Sequence, residues 1–514
     1  MGIPKPNRLD RLLWVEEVDF VPGTRNSRLS GPITGRDRPP VRNGTACVIE
    51  TSRRPVAPGA LVQEDPGGAP HTIASRLDRL PITSLHLTIL AVCTLGLFTD
   101  VAEVALSNAL AAIFLAPPYS MPRGSLSLLL ASVFAGGAVG APVFGLIGDR
   151  FGRRPALQAT LVLMAVGSAA AAMSSGLTEL TVARAVSGFA IGGFPPLAAT
   201  YLADVMPPRR RGAMLMVCTG IGFLGGTGVI LLVQALAPAP PLGIAAWRWA
   251  LVLGAVLAVL GAALFGVLPD SPRWLAAVGR AVEAERACRR FEAASGIVPL
   301  ETPAEATRHP QPPMHAGFRG LLADPQQRRR AALFVALYAL SPWATVGFPL
   351  LSAVVMLGKG FRVDQSLVFA GLSMLGPPLG TLLTATVIDH LERRTCLVAM
   401  AAAMVVLGTA FAVGETFATL VLFGLAFNTA AAIYGGLLAV YATELLSTAS
   451  RASALTCAWA GGRVAAALTP IVLLPLLDGY GIHAMFAVLT ATLIASGALV
   501  LGGPRGRSGR PVTR

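Results

Sequence analysis

The chain has 514 residues, of which 54% are hydrophobic and 13% are charged, and its mean hydropathy is +0.64. This composition excludes a soluble globular protein and indicates a membrane protein with many spanning segments. The net charge of +14 does not indicate nucleic-acid binding, because the arginines are spread over short loops and tails and form no basic face interleaved with aromatic residues. We therefore expect the lipid bilayer, and no nucleic acid, as the chain's surroundings.

Residues 1–83 are polar, rich in proline, glycine and arginine, and without helical periodicity, which predicts a disordered cytoplasmic tail. Twelve later apolar segments are long enough to cross about 30 Å of hydrocarbon, which takes about 20 residues. The sequence thus predicts an all-α polytopic membrane protein, with six helices in 84–268 and six in 331–502. Residues 269–330 form a central cytoplasmic loop with an amphipathic helix, and 503–514 a second cytoplasmic tail. The segments lie near residues 85–110, 126–147, 156–173, 180–205, 213–236, 249–268, 332–357, 367–388, 396–413, 417–445, 452–476 and 483–501.

Arginine residues are concentrated in alternate connections between these segments and in the carboxyl-terminal tail. The positive-inside rule then places both termini in the cytoplasm. The high content of alanine, glycine and arginine is typical of a GC-rich bacterial genome. We therefore expect a multi-pass protein of the inner (plasma) membrane, and we expect it to be a monomer.

An internal repeat emerges when 240 is added to residue numbers in the first half of the chain. Charged and aromatic residues then coincide at many positions. This shared offset predicts two similar six-helix bundles around a central site. The coinciding pairs are Asp149 with Asp389, Arg153 with Arg393, Arg154 with Arg394, Tyr201 with Tyr441, Asp204 with Glu444, and Arg211 with Arg451.

A charged stretch, GLIGDRFGRR, separates the second and third apolar segments. Such charges at mid-membrane would cost several kcal/mol each, so the stretch must be a short loop outside the hydrocarbon. The loop resembles the GxxxDRxGRR signature between helices two and three of the major facilitator superfamily. The resemblance implies the superfamily's fold of two pseudo-symmetric six-helix bundles, and a loop whose charges help to set the gate. The matching residues are Gly145, Asp149, Arg150, Gly152, Arg153 and Arg154.

Two further charge sets resemble the superfamily's YxxExxPxxxR motif at the ends of helices four and ten. The resemblance implies gate latches, in which each acid pairs with an arginine of a signature hairpin in one conformation. Simple termination of the helices by charge is the alternative. The second hairpin, DHLERR, retains Asp389 and Arg393 as gating candidates but lacks the glycine, so its loop can turn differently. The two latch sets are Asp204 with Arg211 and Glu444 with Arg451.

Two acidic residues, Asp100 and Glu103, lie inside the first apolar segment. They are three residues apart and therefore share one face of a helix. An ionisable group within the membrane is by default functional, often in a proton relay. The alternative is that one acid, more readily Glu103, only solvates the extracellular mouth. The spacing is similar to the DxxD pattern of metabolite:proton symporters in the superfamily, which implies proton coupling.

Two arginines also lie inside predicted spans. Arg184 resembles the arginine of the LxxxRxxxG motif in the fourth helix, which is tied to proton coupling, and we expect it close to Asp100 or Glu103. The alternative is an arginine that bridges backbone carbonyls. Arg463 has no acidic neighbour in its helix, so a substrate carboxylate held by two hydrogen bonds would satisfy it. Its segment resembles the GRxxxxxxxP run of organic-acid symporters; pairing with carbonyls of another helix is the alternative.

The heptapeptide PDSPRWL, residues 269–275, resembles the PESPRWL signature that follows helix six in the sugar-porter branch and its organic-ion relatives. The seventh span lacks the QQxxG cluster of a sugar site, and the chain lacks the PETKG ending, so the sequence disfavours a sugar. Four more residues are candidates for the substrate cavity, although each can equally serve packing. They are Asn108, Trp343, Asn428 and Tyr434.

The sequence therefore predicts a secondary transporter that moves a small organic solute, a carboxylate or aromatic acid, by proton symport with alternating access. A proton-coupled exporter of drugs or metabolites is the alternative, and a transporter-like nutrient sensor is a third possibility. No phosphate-binding loop, metal-ligand cluster or nucleophile with a placed base is recognisable in the sequence. We therefore expect neither an enzyme nor a cofactor nor a metal.

Overall fold

The structure, a computed structural model, describes residues 72–296, 324–387, 392–446 and 448–504. Within these ranges almost every residue is helical and no β-strand occurs, which confirms the predicted all-α fold. The helices of the first half are α1 (Ile73–Arg79), α2 (Ser84–Leu115), α3 (Arg123–Phe151), α4 (Arg153–Met173), α5 (Leu177–Val205), α6 (Pro208–Leu236), α7 (Ala246–Val267), α8 (Pro272–Ala277) and α9 (Ala281–Ser295). Those of the second half are α10 (Pro325–Thr345), α11 (Gly347–Gly358), α12 (Val363–Ser373), α13 (Gly376–Val387), α14 (Arg393–Val413), α15 (Phe417–Leu445) and α16 (Thr448–Gly502).

Eleven helical stretches of the described residues are long and apolar enough to cross a membrane. The last of them, Cys457–Gly502, has 46 residues and would be roughly 70 Å long if it were straight. That is more than twice a hydrocarbon core of about 30 Å. The stretch breaks at Gly481, whose φ of 79° and ψ of −175° are not helical. It therefore contributes two spans, and the predicted total of twelve agrees with the structure.

Glycines let α3 and α5 approach closely in the first bundle. A Cβ built on Gly140 would lie 1.8 Å from the main-chain oxygen of Phe189, and one on Gly188 would lie 2.1 Å from a main-chain oxygen of α3. Only glycine allows two helix backbones to pass at this distance. The second bundle repeats the arrangement between α13 and α15, because a Cβ on Gly380 would lie 2.4 Å from the main-chain oxygen of Thr429.

Hydrogen bonds at helix ends follow the same repeat. The Tyr201 hydroxyl donates to the main-chain oxygen of Pro269, and the Tyr441 hydroxyl donates to that of Pro504, each at 2.5 Å. The repeated signature arginines likewise donate to main-chain oxygens at the end of α7 in one half and of α16 in the other. The offset found in the sequence thus corresponds to equivalent contacts in the two bundles.

The buried apolar side chains form two separate clusters. We call the side of the bundles where α3 meets α4 the loop side, and the opposite side the far side. One cluster combines far-side residues of the first bundle with the core of the second bundle, whereas the other contains only loop-side residues of the first half. A salt bridge of 3.0 Å between Arg123 and Asp478 also joins the halves on the far side. The apolar packing between the halves is therefore concentrated on the far side.

Helix α1 differs from the sequence prediction of a disordered segment as far as residue 83. Its Arg76 is 9% exposed and donates to the carboxylates of Glu285 and Glu292 on α9, with N–O distances of 2.7 Å to each. Hydrogen bonding to Glu292 and then to Glu285 raises the pKa of Arg76, although burial acts against it. The hydrogen bond from Arg76 lowers the pKa of Glu285. One buried carboxylate, Glu292, and one half-buried carboxylate, Glu285, thus hold α1 against the central connection.

The central connection contains two helices, α8 and α9, where the sequence predicts one amphipathic helix. The apolar face of α9 is buried, and the helix packs against α1, α2 and α8. The ring of Phe291 on α9 lies 5.0 Å from that of His86 on α2, measured between centroids. Most of the predicted tail and part of the predicted loop, residues 1–71 and 297–323, lie outside the described residues.

Candidate functional site

The two acids of α2 have different surroundings, although they lie one helical turn apart. Glu103 is 2% exposed and forms an ion pair with Arg184 of α5, which is 1% exposed. Arg184 also donates to the main-chain oxygen of Glu103 at 2.8 Å and to the Ser107 hydroxyl at 2.9 Å. The hydroxyl of Ser168 on α4 donates to the other carboxylate oxygen of Glu103. This ion pair is therefore enclosed and hydrogen-bonded within the first bundle.

Helix α7 leaves room for this pair because it carries a glycine at the point of contact. A Cβ built on Gly254 would lie 2.8 Å from Oε1 of Glu103. Any larger residue at that position would push against the carboxylate. Four helices, α2, α4, α5 and α7, thus define the position of Glu103.

Asp100 lacks such partners. It is 3% exposed, and its Oδ1 has no hydrogen-bond partner among the described residues. The structure thus pairs Arg184 with Glu103, one of the two acids that the sequence offered as its neighbour, and leaves Asp100 without an ion pair among the described residues.

Arg463 lies halfway along the part of α16 that precedes Gly481, and it is half-buried. Its guanidinium carbon is 5.2 Å from the ring centre of Trp459, within the range of a cation–π contact. In the part of the chain that the structure describes, Arg463 has no hydrogen-bonded partner and no salt bridge. The buried Nε1 of Trp459 also lacks a hydrogen-bond acceptor there. The N–H groups of these two adjacent side chains can therefore donate hydrogen bonds to a bound anion.

Two of the other predicted cavity residues make hydrogen bonds within the second bundle. The Asn428 amide donates to the main-chain oxygen of Ser373 at 3.1 Å, where α12 ends. The hydroxyl of Tyr434 lies 2.5 Å from that of Ser496 on α16. Both residues are buried, and these contacts join helices, so the packing alternative accounts for their positions.

The remaining two predicted cavity residues differ from each other. Asn108 is 1% exposed, and neither its side-chain nitrogen nor its oxygen has a partner among the described residues. Trp343 is half-buried and packs against the large apolar cluster. Asn108 therefore has unused hydrogen-bonding capacity, whereas Trp343 has a packing role.

The signature loop is anchored by the heptapeptide that follows α7. Oδ1 of Asp270 accepts hydrogen bonds from the main-chain N–H groups of Arg153 and Arg154, at 3.1 and 3.2 Å. Gly152 has a φ of 116°, and a Cβ there would lie 2.1 Å from the Asp270 carboxylate, so the position requires glycine. Burial raises the pKa of Asp270, and the main-chain N–H donors act against that rise.

The side chain of Arg153 links two acids on the loop side. It lies 2.5 Å from the carboxylate of Asp149 and 3.8 Å from that of Asp204. The hydroxyl of Ser271 donates to Asp204 at 3.0 Å. Arg211 donates at 3.4 Å to the main-chain oxygen five residues before it. Asp204 thus lies beside a signature arginine in this conformation, while Arg211 binds the end of α5. The gating role of both residues stays a prediction.

The remaining gating candidates differ in their surroundings. A Cβ built on Gly145 would meet nothing within 4 Å, so packing does not explain this glycine. Arg150 is exposed, with its guanidinium carbon 5.7 Å from the ring centre of Phe151. Arg393, the counterpart of Arg153, is buried. Outside the described part of the structure lie Asp389 and the side chains of Glu444 and Arg451.

Four residues that no pattern in the sequence indicated also bind the charged residues: Ser107, Ser168, Asp270 and Ser271. An isolated serine in an apolar segment gives no local signal, because its partner comes from another helix. Asp270 and Ser271 lie in the PDSPRWL heptapeptide, which in the sequence indicates only a family branch. Their contacts show that this heptapeptide holds the signature loop in place.

Twelve spans in two repeated bundles, with ionisable residues enclosed between and within them, define a membrane transporter of the major facilitator type. Residues 102–502 match the family model described as "Sugar (and other) transporter". The chain belongs to this family, in the sugar-porter-like part of the major facilitator superfamily.

Individual relatives agree with this assignment. The niacin transporter NiaP of Acinetobacter baylyi is 25% identical over 433 residues, which cover 84% of this chain and 96% of NiaP. The arabinose-proton symporter of Bacillus subtilis is 32% identical over 221 residues, or 41% of this chain and 47% of the symporter. A structure of the xylose transporter XylE from E. coli covers 84% of this chain and 100% of its own, with a TM-score of 0.67 and 19% identity. The chain is thus a multi-pass transporter related to solute–proton symporters.

Proposed function

We propose that this transporter carries a small organic carboxylate together with a proton across the bacterial inner membrane. The observation that carries the proposal is Arg463, a half-buried guanidinium in mid-span without a hydrogen-bonded partner among the described residues. A lone cation in hydrocarbon is costly, and a carboxylate satisfies a guanidinium through two parallel hydrogen bonds. The N–H of Trp459 adds a third donor beside it.

Aromatic surface next to Arg463 favours an aromatic acid. The rings of Trp459 and Tyr338 lie 6.2 Å apart, measured between centroids, and a ring of the substrate can pack against them. Niacin, the compound in the name of the relative NiaP, is an aromatic carboxylic acid. We extend this substrate class to the present chain.

Proton coupling is assigned to Asp100, with Glu103 and Arg184 as its neighbours in the first bundle. Asp100 is buried and has an oxygen without a hydrogen-bond partner among the described residues, which suits a group that gains and loses a proton. With the loop side and both termini in the cytoplasm, the packing of the halves on the far side corresponds to an inward-facing carrier.

A neutral sugar or polyol is the second candidate. The family match and the relative named arabinose-proton symporter favour it. Asn108 also supports it, because neither the nitrogen nor the oxygen of its side-chain amide has a hydrogen-bond partner among the described residues. This amide can therefore both donate to and accept from a sugar hydroxyl. A sugar, however, gives no counter-charge to Arg463.

Uptake into proteoliposomes tests the proposal. We expect an inward proton gradient to drive uptake of labelled niacin or benzoate, and not of arabinose, above the level in protein-free liposomes. In Arg463→Gln uptake should fall more than roughly tenfold, because the charged donor to the substrate carboxylate is lost. Arg286→Gln, the same substitution at an exposed position of α9, is the matched control. Accumulation of arabinose alone would favour the sugar candidate, and gradient-driven efflux would favour the exporter.

A further inference from the structure

We propose that an anionic phospholipid of the leaflet on the loop side binds between the two halves, with its phosphate on Arg210 and an acyl chain in a groove between α6 and α13. Four residues within 217–224 and four within 375–382 line this groove, which has a volume of about 410 Å³. The site is separate from the residues assigned to substrate and proton, so lipid binding here does not depend on which solute the carrier moves.

The groove lies where contact between the halves becomes loose. Farther from the loop side, α6 packs tightly against α12, because a Cβ built on Gly371 would lie 2.6 Å from the side chain of Leu231. At the groove, a Cβ built on Gly220 would meet its nearest neighbour, the side chain of Leu382, only at 3.8 Å. Space therefore remains between α6 and α13 beside Gly220.

The walls of the groove are apolar and face outward. None of the lining residues has a polar side chain, and Ile221 and Leu382 are 48% and 52% exposed. The same face of α6 continues through Gly228 and Ala235, which are also exposed. On a membrane-spanning helix such a face contacts lipid chains, which are as apolar as leucine. An acyl chain is therefore the occupant that the surroundings supply.

A basic residue lies on the same stripe of α6, nearer the loop side. Arg210 precedes Val217 by seven residues, which is close to two helical turns and about 10 Å along the axis. Ala213 and Met214, between them on this stripe, are apolar. Arg210 is exposed, and its side chain has no hydrogen bond or ion pair with the described residues. Its guanidinium is thus free to bind a ligand that also reaches the groove.

The charge at this end of α6 selects a net negative headgroup. A guanidinium binds phosphate through two parallel hydrogen bonds. The next residue, Arg211, adds a second positive charge, and its buried Nε has no acceptor among the described residues. The amino-terminal end of the helix dipole also favours an anion. A zwitterionic lipid brings its own cation, which the two arginines repel, so an anionic phospholipid satisfies the site best.

Quenching of tryptophan fluorescence by brominated lipids tests the site. Ile221→Trp places an indole at the edge of the groove, and Val256→Trp, at a 57% exposed position of α7, is the matched reporter outside it. Each variant is reconstituted in phosphatidylcholine with a small fraction of brominated phosphatidylglycerol or brominated phosphatidylcholine, and the wild-type signal is subtracted. We expect brominated phosphatidylglycerol to quench Ile221→Trp more strongly, and both lipids to quench Val256→Trp equally. Equal quenching of Ile221→Trp by the two lipids would overturn the proposal.

A second substitution in the Ile221→Trp protein tests the headgroup contact. Arg210→Gln should lower the preference for phosphatidylglycerol about fivefold, which is the effect of one arginine near an anionic surface. Arg286→Gln, the same change of charge at an exposed position of α9, should leave the preference as it is. A preference that survives Arg210→Gln, or that falls equally in both variants, would show that Arg210 does not bind the headgroup.

Filling the groove tests the position of the acyl chain. In the Ile221→Trp protein, Gly220→Leu should abolish the extra quenching by phosphatidylglycerol, because the new side chain occupies the groove. Gly228→Leu, on the same helix but outside the groove, should retain it; a Cβ there makes only an ordinary contact of 3.5 Å. Leu379→Phe fills the groove from α13 and replaces Gly220→Leu if circular dichroism shows that variant to be unfolded. Unchanged quenching in a folded groove-filling variant would refute the acyl-chain site.

Discussion

Neutralising the two acids of α2 should have unequal effects on stability. Glu103→Gln removes the ion pair of a guanidinium that is 1% exposed, while the main-chain oxygen of residue 103 and the Ser107 hydroxyl still accept from Arg184. Breaking a buried pair by removing one partner costs about 3–5 kcal/mol, because the other charge stays buried. One hydroxyl and one main-chain oxygen still accept hydrogen bonds from Arg184. We therefore expect a loss near the lower end of this range, about 3 kcal/mol.

Asp100→Asn removes a buried charge that has an oxygen without a hydrogen-bond partner in the described residues. The substitution removes the desolvation cost of that carboxylate. It breaks no salt bridge among the described residues. The free energy of unfolding should therefore stay within about 1 kcal/mol of the wild type or rise. The two substitutions change the same charge on the same helix, one turn apart, so each is the control of the other.

The assay is equilibrium unfolding of the purified variants in mixed micelles, followed by loss of helical circular dichroism. Combining Glu103→Gln with Arg184→Met tests the cause, because the second change removes the stranded cation and should recover part of the lost stability. Equal stabilities of Glu103→Gln and the wild type, or a larger loss in Asp100→Asn, would refute the distinction between a structural pair and a free acid.

Two further predictions concern the loop side. Arg76 lowers the pKa of Glu285, so their contact stabilises the fold fully at pH values above the unfolded pKa of about 4.3. This stabilisation is lost as the pH falls through the lower pKa of the folded state. Arg76→Gln should therefore remove this part of the pH dependence of the free energy of unfolding. Gly152→Ala should reduce stability and transport, because its φ of 116° and a Cβ 2.1 Å from the Asp270 carboxylate exclude a side chain. Gly145→Ala, with nothing within 4 Å of its Cβ, should match the wild type in the same thermal unfolding and uptake measurements; equal effects at both glycines would contradict this account.

Local patterns in the chain were enough to predict the spans, the two halves and the repeat. Hydropathy over about 20 residues reflects the thickness of the bilayer, so each span can be recognised without knowledge of its neighbours. The same holds for the signature loop, whose charges must leave the hydrocarbon wherever the rest of the chain lies. The glycines of α3 and their counterparts in α13 carry the same offset as the charges, because the same close helix contact is built twice.

The choice of partners was decided only by tertiary structure. The sequence places Asp100 and Glu103 on one helical face and allows either to meet Arg184, but the packing of α4, α5 and α7 around Glu103 selects that acid. Asp100 is then left buried, with a carboxylate oxygen that has no hydrogen-bond partner among the described residues. A buried charge is stabilised by whichever opposite charge and hydrogen-bond donors lie within a few ångströms, and helix packing sets those distances.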